Sequence, residues 1–257
     1  MQQAPQSTSA HHKGLVLFIS DLHLCESRPE ITRSFLHFLR VDAPKAEALY
    51  ILGDLFEYWA GDDDMATPFH QTIIQAFAKC ANQAVKIFLL HGNRDFLIAE
   101  DFCQAAEITL LNDPTLIQLG NQRTLLSHGD ALCTDDDAYQ KMRTQFRDST
   151  WQKTFLDQPL ATRKAQIANI RMQSETAKAR KSVEIMDVNP SAVHALLQQF
   201  DHPPIFIHGH THRPDTHHIQ HNDHHTTRYV LGDWYEQGSY LMFEQGKIRA
   251  IQLPLSA

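Results

Sequence analysis

Five short apolar runs along this chain each stop at a cluster of Asp, His or Asn. They are LVLFIS (15–20), ALYIL (48–52), VKIFLL (85–90), TLLS (124–127) and PIFI (204–207). Runs of this length, rich in Val, Ile, Leu and Phe and bounded by glycine and polar residues, predict buried strands. The polar clusters then fall at the carboxyl ends of strands, where open sheets place their sites. Between 134 and 190 the pattern changes. Phe146, Trp151, Phe155 and Leu156, then Leu160, Ile167, Ile170 and Met172, recur at spacings near three and four and predict helices. Asp157-Gln158-Pro159 predicts a break between two of them, because the residue before proline is pushed out of helical space. Further on, 228–231, 239–243 and 247–253 predict consecutive strands closing a second sheet. The expected fold class is α/β: two stacked mixed β-sheets flanked by helices, an αββα sandwich with a helical lid insertion. The expected division is a disordered polar tail at 1–13, a core at 14–133 and 191–257, and the lid at 134–190.

A chain of 257 residues with 42% hydrophobic content is long enough to bury a sizeable core. Cys25, Cys80, Cys103 and Cys133 lack CxxC spacing and are expected to be reduced thiols, not a disulfide framework or a zinc site. The opening MQQAPQSTSAHHKG lacks the apolar core of a secretory signal, and no run of about 18 apolar residues reads as a membrane span. Charge is uneven: between 138 and 181 stand ten Lys and Arg against three acids, a local +7 in a chain of net −7. Two readings of that excess stay open. It is the solvated face of an amphipathic hairpin, or a surface for anionic groups, worth about 1 kcal/mol per basic residue near an anionic leaflet.

The polar clusters are Asp21-Leu22-His23, Gly53-Asp54, Gly92-Asn93-Arg94-Asp95, His128-Gly129-Asp130 and Gly209-His210-Thr211-His212. Together they supply ligands for two divalent cations, with one carboxylate bridging. Two cations roughly 3.5–4 Å apart clamp the attacking and leaving oxygens of an in-line displacement and lower the pKa of a bound water. Oxygen and imidazole ligands without thiolate suit Mn, Fe or Zn better than Ca, and carboxylate with amide oxygen tilts toward Mn. Asp62-Asp63-Asp64 reads either as a cap for a helix over 67–80 or as a site-facing acidic turn. The stretch with His217, His218, His221, His224 and His225 reads as a solvated loop at a hairpin tip.

In this order the five clusters resemble the calcineurin-like metallophosphoesterases, with Arg94 where that family usually has His. A guanidinium gives up no proton but holds phosphate oxygens in a bidentate fork. That suits a leaving group that is itself a phosphate, with a second pKa near about 6. Longer stretches narrow the resemblance: DLHLC (21–25), ILGDLFEYWAGDDD (51–64), HGNRDFL (91–97), LLSHGDALCTDD (125–136), IMDVN (185–189) and IHGHTHRP (207–214). From about residue 15 to the C-terminus the chain is similar to the UDP-2,3-diacylglucosamine diphosphatase family of lipid A biosynthesis.

The resemblance implies hydrolysis of the pyrophosphate of UDP-2,3-diacylglucosamine by metal-activated water at the α-phosphorus, giving UMP and 2,3-diacylglucosamine 1-phosphate. It implies two Mn2+ per chain, the first held by Asp21, His23, Asp54 and His212, the second by Asp54, Asn93, His128 and His210, with Asp54 as the bridge. Arg94, Asp54 and Asn93 become the catalytic candidates. Substrate contacts carry over to Asn93, Arg94, Asp136, Ser174, Lys181 and His210, and to Lys178, where the family usually has Asn. Asp95 is expected to orient Arg94 or a ligand, and His208 to lie outside the metal shells. The glycolipid nucleotide implies a lid that takes acyl chains and peripheral contact with the cytoplasmic face of the bacterial inner membrane. No nucleic acid and no protein partner is implied. A general phosphoesterase or nuclease on the same scaffold, and a non-catalytic scaffold, stand as alternatives.

Overall fold

The computed structural model describes residues 7–178 and 185–254, with side chains over 10–174 and 185–254. In chain order the elements are β1 (Ser7–His12), β2 (Val16–Ile19), α1 (Pro29–Val41), β3 (Ala48–Leu52), α2 (Pro68–Ala81), β4 (Lys86–Leu90), α3 (Glu100–Ala106), β5 (Ile108–Leu111), β6 (Thr115–Leu119) and β7 (Gln122–Ser127). They continue with α4 (Asp137–Phe146), α5 (Ser149–Leu156), α6 (Leu160–Lys178), α7 (Pro190–Gln199), β8 (Ile205–His208), β9 (Asp215–His221), β10 (His224–Val230), β11 (Gly238–Glu244) and β12 (Lys247–Leu253). All five apolar runs are strands: β2, β3, β4, β7 and β8.

Two six-stranded mixed sheets result, ordered β12-β11-β2-β3-β4-β5 and β1-β6-β7-β8-β10-β9. Phe18, Tyr50, Leu90, Leu126 and Ile207 share the core between them, where Phe18, Tyr50 and Phe88 form a stack. The outer face of the first sheet is covered by the apolar stripes of α1 (Ile31, Phe35, Phe38) and α2 (Ile73, Phe77), together with Phe102 of α3. On the far side, α7 packs Val193 and Leu197 over Leu125 and Phe206 of the second sheet. Sheets and helices thus form the expected αββα sandwich. The break at Asp157-Gln158-Pro159 also falls where proline sterics place it, between α5 and α6.

Three expectations need correction. Within the tail assigned as disordered, Ser7–His12 is a strand, paired in parallel with β6. Its buried anchor is His12, which bonds the Tyr50 hydroxyl at 2.6 Å and Glu47 at 2.8 Å. Residues 228–231 do not share a sheet with 239–243 and 247–253. They belong largely to β10, which pairs with β8 and β9, whereas β11 and β12 extend the other sheet. The His217–His225 stretch is the exposed hairpin expected, but its loop shrinks to the turn Asn222-Asp223 between two strands. As for Asp62-Asp63-Asp64, the cap of α2 is Thr67. Asp62 instead accepts from Ala99 N at 3.1 Å and Phe102 N at 2.9 Å, satisfying the open end of α3.

Candidate metal-dependent active site

The ends of β2, β3, β4, β7 and β8 meet at one edge of the sandwich. The chain turns sharply there, with Asp21, His23, Asp54, His210 and His212 all at positive φ, between 49° and 69°. Residues other than glycine held in this region cost of order 1–3 kcal/mol each and cluster at functional sites. Close approach of the turns also dictates glycine. A Cβ on Gly92 would lie 2.0 Å from Asp54 Oδ1, and one on Gly209 would lie 2.0 Å from Ser20 Oγ.

Among the described residues, two groups of side chains converge tightly enough to grip a metal ion: Asp21, His23 and His212, and Asp21, Asp54 and His128. Asp21 is common to both. Asp54 lies between them, with Oδ2 3.7 Å from His23 Nε2 and Oδ1 3.8 Å from His128 Nε2. Asn93 Oδ1 joins the second group, 3.1 Å from His128 Nε2. The His210 ring stands 5.0 Å from that of His128, outside both groups, while its backbone N–H donates to Asp21 at 2.9 Å.

The three grouped imidazoles share one orientation. Each turns Nε2 to the cluster; Nδ1 faces an acceptor in His128 (Leu52 O at 2.8 Å) and His212 (Asp233 at 3.1 Å), whereas the buried His23 Nδ1 makes no hydrogen bond and has Glu57 3.5 Å away. An oxygen behind the second nitrogen fixes the tautomer and ring orientation of a metal-ligating histidine. The electrostatics also call for a cation. Burial, with Asp95 and Asp21 adding to it, lifts the Asp54 carboxyl to about 7 in spite of His128. Burial disfavours charge on His212, yet Asp21 and Asp233 outweigh it and push that imidazole up to about 10. Asp21 Oδ1 is fully buried without a well-formed hydrogen bond, 3.2 Å from His212 Nε2. Two buried carboxylates, one of them with an orphaned oxygen, and three converging imidazoles fit divalent metal ions.

The neighbouring positions divide by what they touch. Asp95, fully buried, accepts from Leu55 N at 2.7 Å and Gly92 N at 2.8 Å, locking two site turns together. His208 is buried behind the site, its Nε2 held by Arg228 at 3.0 Å, which leaves it no free lone pair for a metal. Arg94 donates its backbone N–H to Asp54 at 2.8 Å and sets its guanidinium 3.9 Å from Glu57. Asp136 caps α4 through Tyr139 N at 3.1 Å. Ser174 lies half-buried on α6. The Lys178 side chain and Lys181 lie outside the described residues.

Sequence reasoning missed Glu57 and Asp233. Glu57 gathers Arg28, Arg94, Arg171 and His23 around one carboxylate, and its only trace in the sequence is a place inside ILGDLFEYWAGDDD. Glu57→Gln and Asp233→Asn should each weaken manganese affinity by about 10–100-fold, the usual effect of losing such an outer partner. Equilibrium dialysis against Mn2+ measures it; unchanged affinity in both would mean that these carboxylates do not act through the imidazoles.

Most of the basic side chains described between 138 and 181 are committed to the fold. Arg143 bonds Asp130 at 2.8 Å, Arg147 bonds Gly92 O at 2.9 Å and Lys164 bonds Asp64 at 2.6 Å. Arg163 bonds Asp63 and Ala60 O, and Arg171 bonds Glu57. Phe155 is buried in the main core, with Trp151 and Ile167 packed against it. Five of the seven described basic side chains therefore fasten these helices to the site loops and are not spread over a solvated face. Arg163→Ala should speed hydrogen exchange in α5 and α6 while β2–β4 keep their protection, since the ties are local. Uniform loss of protection would place Arg163 in the global core.

The calcineurin-like phosphoesterase family model matches residues 14–214. The chain belongs to that family. Among curated relatives, the UDP-2,3-diacylglucosamine hydrolase of Aromatoleum aromaticum is 52% identical over 89% of this chain and 92% of its own. The protein of the same name from Aeromonas hydrophila is 50% identical over 92% of this chain and 97% of its own. A solved archaeal phosphodiesterase aligns over 93% of this chain and 99% of its own, with a TM-score of 0.45 at 13% identity.

Proposed function

We propose that the chain hydrolyses the pyrophosphate of UDP-2,3-diacylglucosamine, water attacking the α-phosphorus to give UMP and 2,3-diacylglucosamine 1-phosphate. The substrate is the one for which its bacterial relatives are named. The observation in the molecule that carries the reading is the convergence of three imidazole Nε2 atoms on the Asp21 and Asp54 carboxylates, with Arg94 alongside. We assign Asp21, His23, Asp54 and His212 to one Mn2+, and Asp54, Asn93, His128 and His210 to a second. Divalent ions held by these residues would lower the pKa of a water and stabilise charge on phosphate oxygens. Arg94 holds phosphate oxygens as charge builds and supplies no proton, which a departing phosphate does not need.

Residues 134–190 act in this reading as a lid, and Asn93, Arg94, Asp136, Ser174, Lys178, Lys181 and His210 as substrate contacts. No helix among the described residues is long and apolar enough to cross a membrane. A lipid-linked substrate places the chain peripherally on the cytoplasmic face of the inner membrane, with no nucleic acid or protein partner required. Turnover of UDP-2,3-diacylglucosamine with Mn2+, lost on chelation and regained on re-addition, tests the reading. Equal activity on a bare chromogenic phosphodiester, or binding that falls steeply with salt as nucleic-acid binding does, would move the chain to the general phosphoesterases or the nucleases.

A further inference from the structure

At the edge of the second sheet, away from the five strand ends, four histidines from three elements and one turn come together. Antiparallel pairing sets His221 of β9 directly opposite His224 of β10, and residues so paired share a face. It is the face on which Ile219, two residues before His221, packs against the core under α7. α7 carries His194, and the turn after it carries His202, held at positive φ by a bond from its N–H to Leu197 O at 2.8 Å. His202 stacks on His224 with ring centroids 4.3 Å apart and lies 5.6 Å from His221, which is 5.2 Å from His194.

We propose that His194, His202, His221 and His224 form a surface site for a borderline transition-metal ion of the Zn2+ class, separate from the catalytic cluster. Four imidazoles without thiolate or a bridging carboxylate suit Zn2+, Ni2+ or Cu2+ and not Mg2+ or Ca2+. Desolvation, then the neighbouring His224 and His221, keeps His202 below the ordinary imidazole range, so its lone pair is available at neutral pH. His202 now stacks on His221 and His224 and the four rings do not yet converge, so holding one ion requires them to turn about χ1 and χ2. His221 and His224 are exposed and His194 and His202 half-exposed, so rotation leaves the core undisturbed. An ion bound there cross-links α7 to the β9–β10 hairpin. His217 faces Asp215 at 3.7 Å and His218 stacks on His225, which sets these three apart from the site.

The test is zinc stoichiometry at equilibrium with buffered free Zn2+, read as the difference between variants, so that it does not depend on how many ions the catalytic cluster holds. The double variant His202→Gln/His224→Gln should hold one Zn2+ fewer per chain than the unaltered protein, with manganese-dependent turnover unchanged. His221→Gln should lose the same ion, and the control His217→Gln/His218→Gln should retain it. Equal zinc in the unaltered protein and in His202→Gln/His224→Gln, or an equal loss in the control, would overturn the site.

Discussion

Asp54→Ala should abolish turnover and lower bound manganese together. The Asp54 oxygens face His23 on one side and His128 on the other, at 3.7 and 3.8 Å, so one truncation removes a member of the second group and the carboxylate that stands between it and the first. The side chain is also fully enclosed at 2% exposure, and its Oδ1 accepts the Arg94 N–H at 2.8 Å. Losing it therefore frees the turn that carries Arg94 as well as the ions. Metal analysis alongside a rate measurement distinguishes the possibilities, and a near-normal rate with full metal content would remove the shared-carboxylate assignment.

Arg94→Ala should behave differently, cutting kcat by about a hundredfold or more with metal content intact. Fixed donors aimed at developing charge are worth about 2.7–4 kcal/mol in the transition state. The metal groups do not include Arg94, and Glu57 keeps Arg28 and Arg171 as partners when Arg94 is removed. Arg94→Lys should recover only part of the rate, because a point charge does not reproduce the planar fork. Loss of manganese in Arg94→Ala would make the residue a structural prop of the Asp54 turn.

What could be read from the sequence follows a physical division. The five strand ends were legible because each apolar run stops at Asp, His or Asn, and burial of a run leaves its polar end at the sheet margin. The positive φ angles at Asp21, His23, Asp54, His210 and His212 were not, since none of those five positions is itself a glycine. Strand β1 was hidden for another reason: STSAHH has no apolar run, and what holds it is His12 buried between Glu47 and Tyr50. The split of 228–231 from 239–243 depends on which sheet edge each strand meets, a long-range choice that local alternation does not encode.

Charge was the least legible layer. The basic excess of 138–181 invited a choice between a solvated face and an anion-binding face, yet Arg143, Arg147, Arg163, Lys164 and Arg171 are tied to Asp130, Gly92, Asp63, Asp64 and Glu57. Their partners lie 13 to 114 residues away along the chain. The acidic turn Asp62-Asp63-Asp64 is explained by the same contacts. It caps α3 with its first residue and anchors α6 with the other two. Asp233 was invisible for a similar reason: only the fold brings it to His212 Nδ1.

The most direct measurement is hydrolysis of UDP-2,3-diacylglucosamine in water enriched in heavy oxygen, with the products weighed by mass spectrometry. Attack at the α-phosphorus puts the label in UMP and leaves 2,3-diacylglucosamine 1-phosphate unlabelled. Label in the sugar phosphate, or no cleavage of this substrate with Mn2+ present, would contradict the proposed reaction.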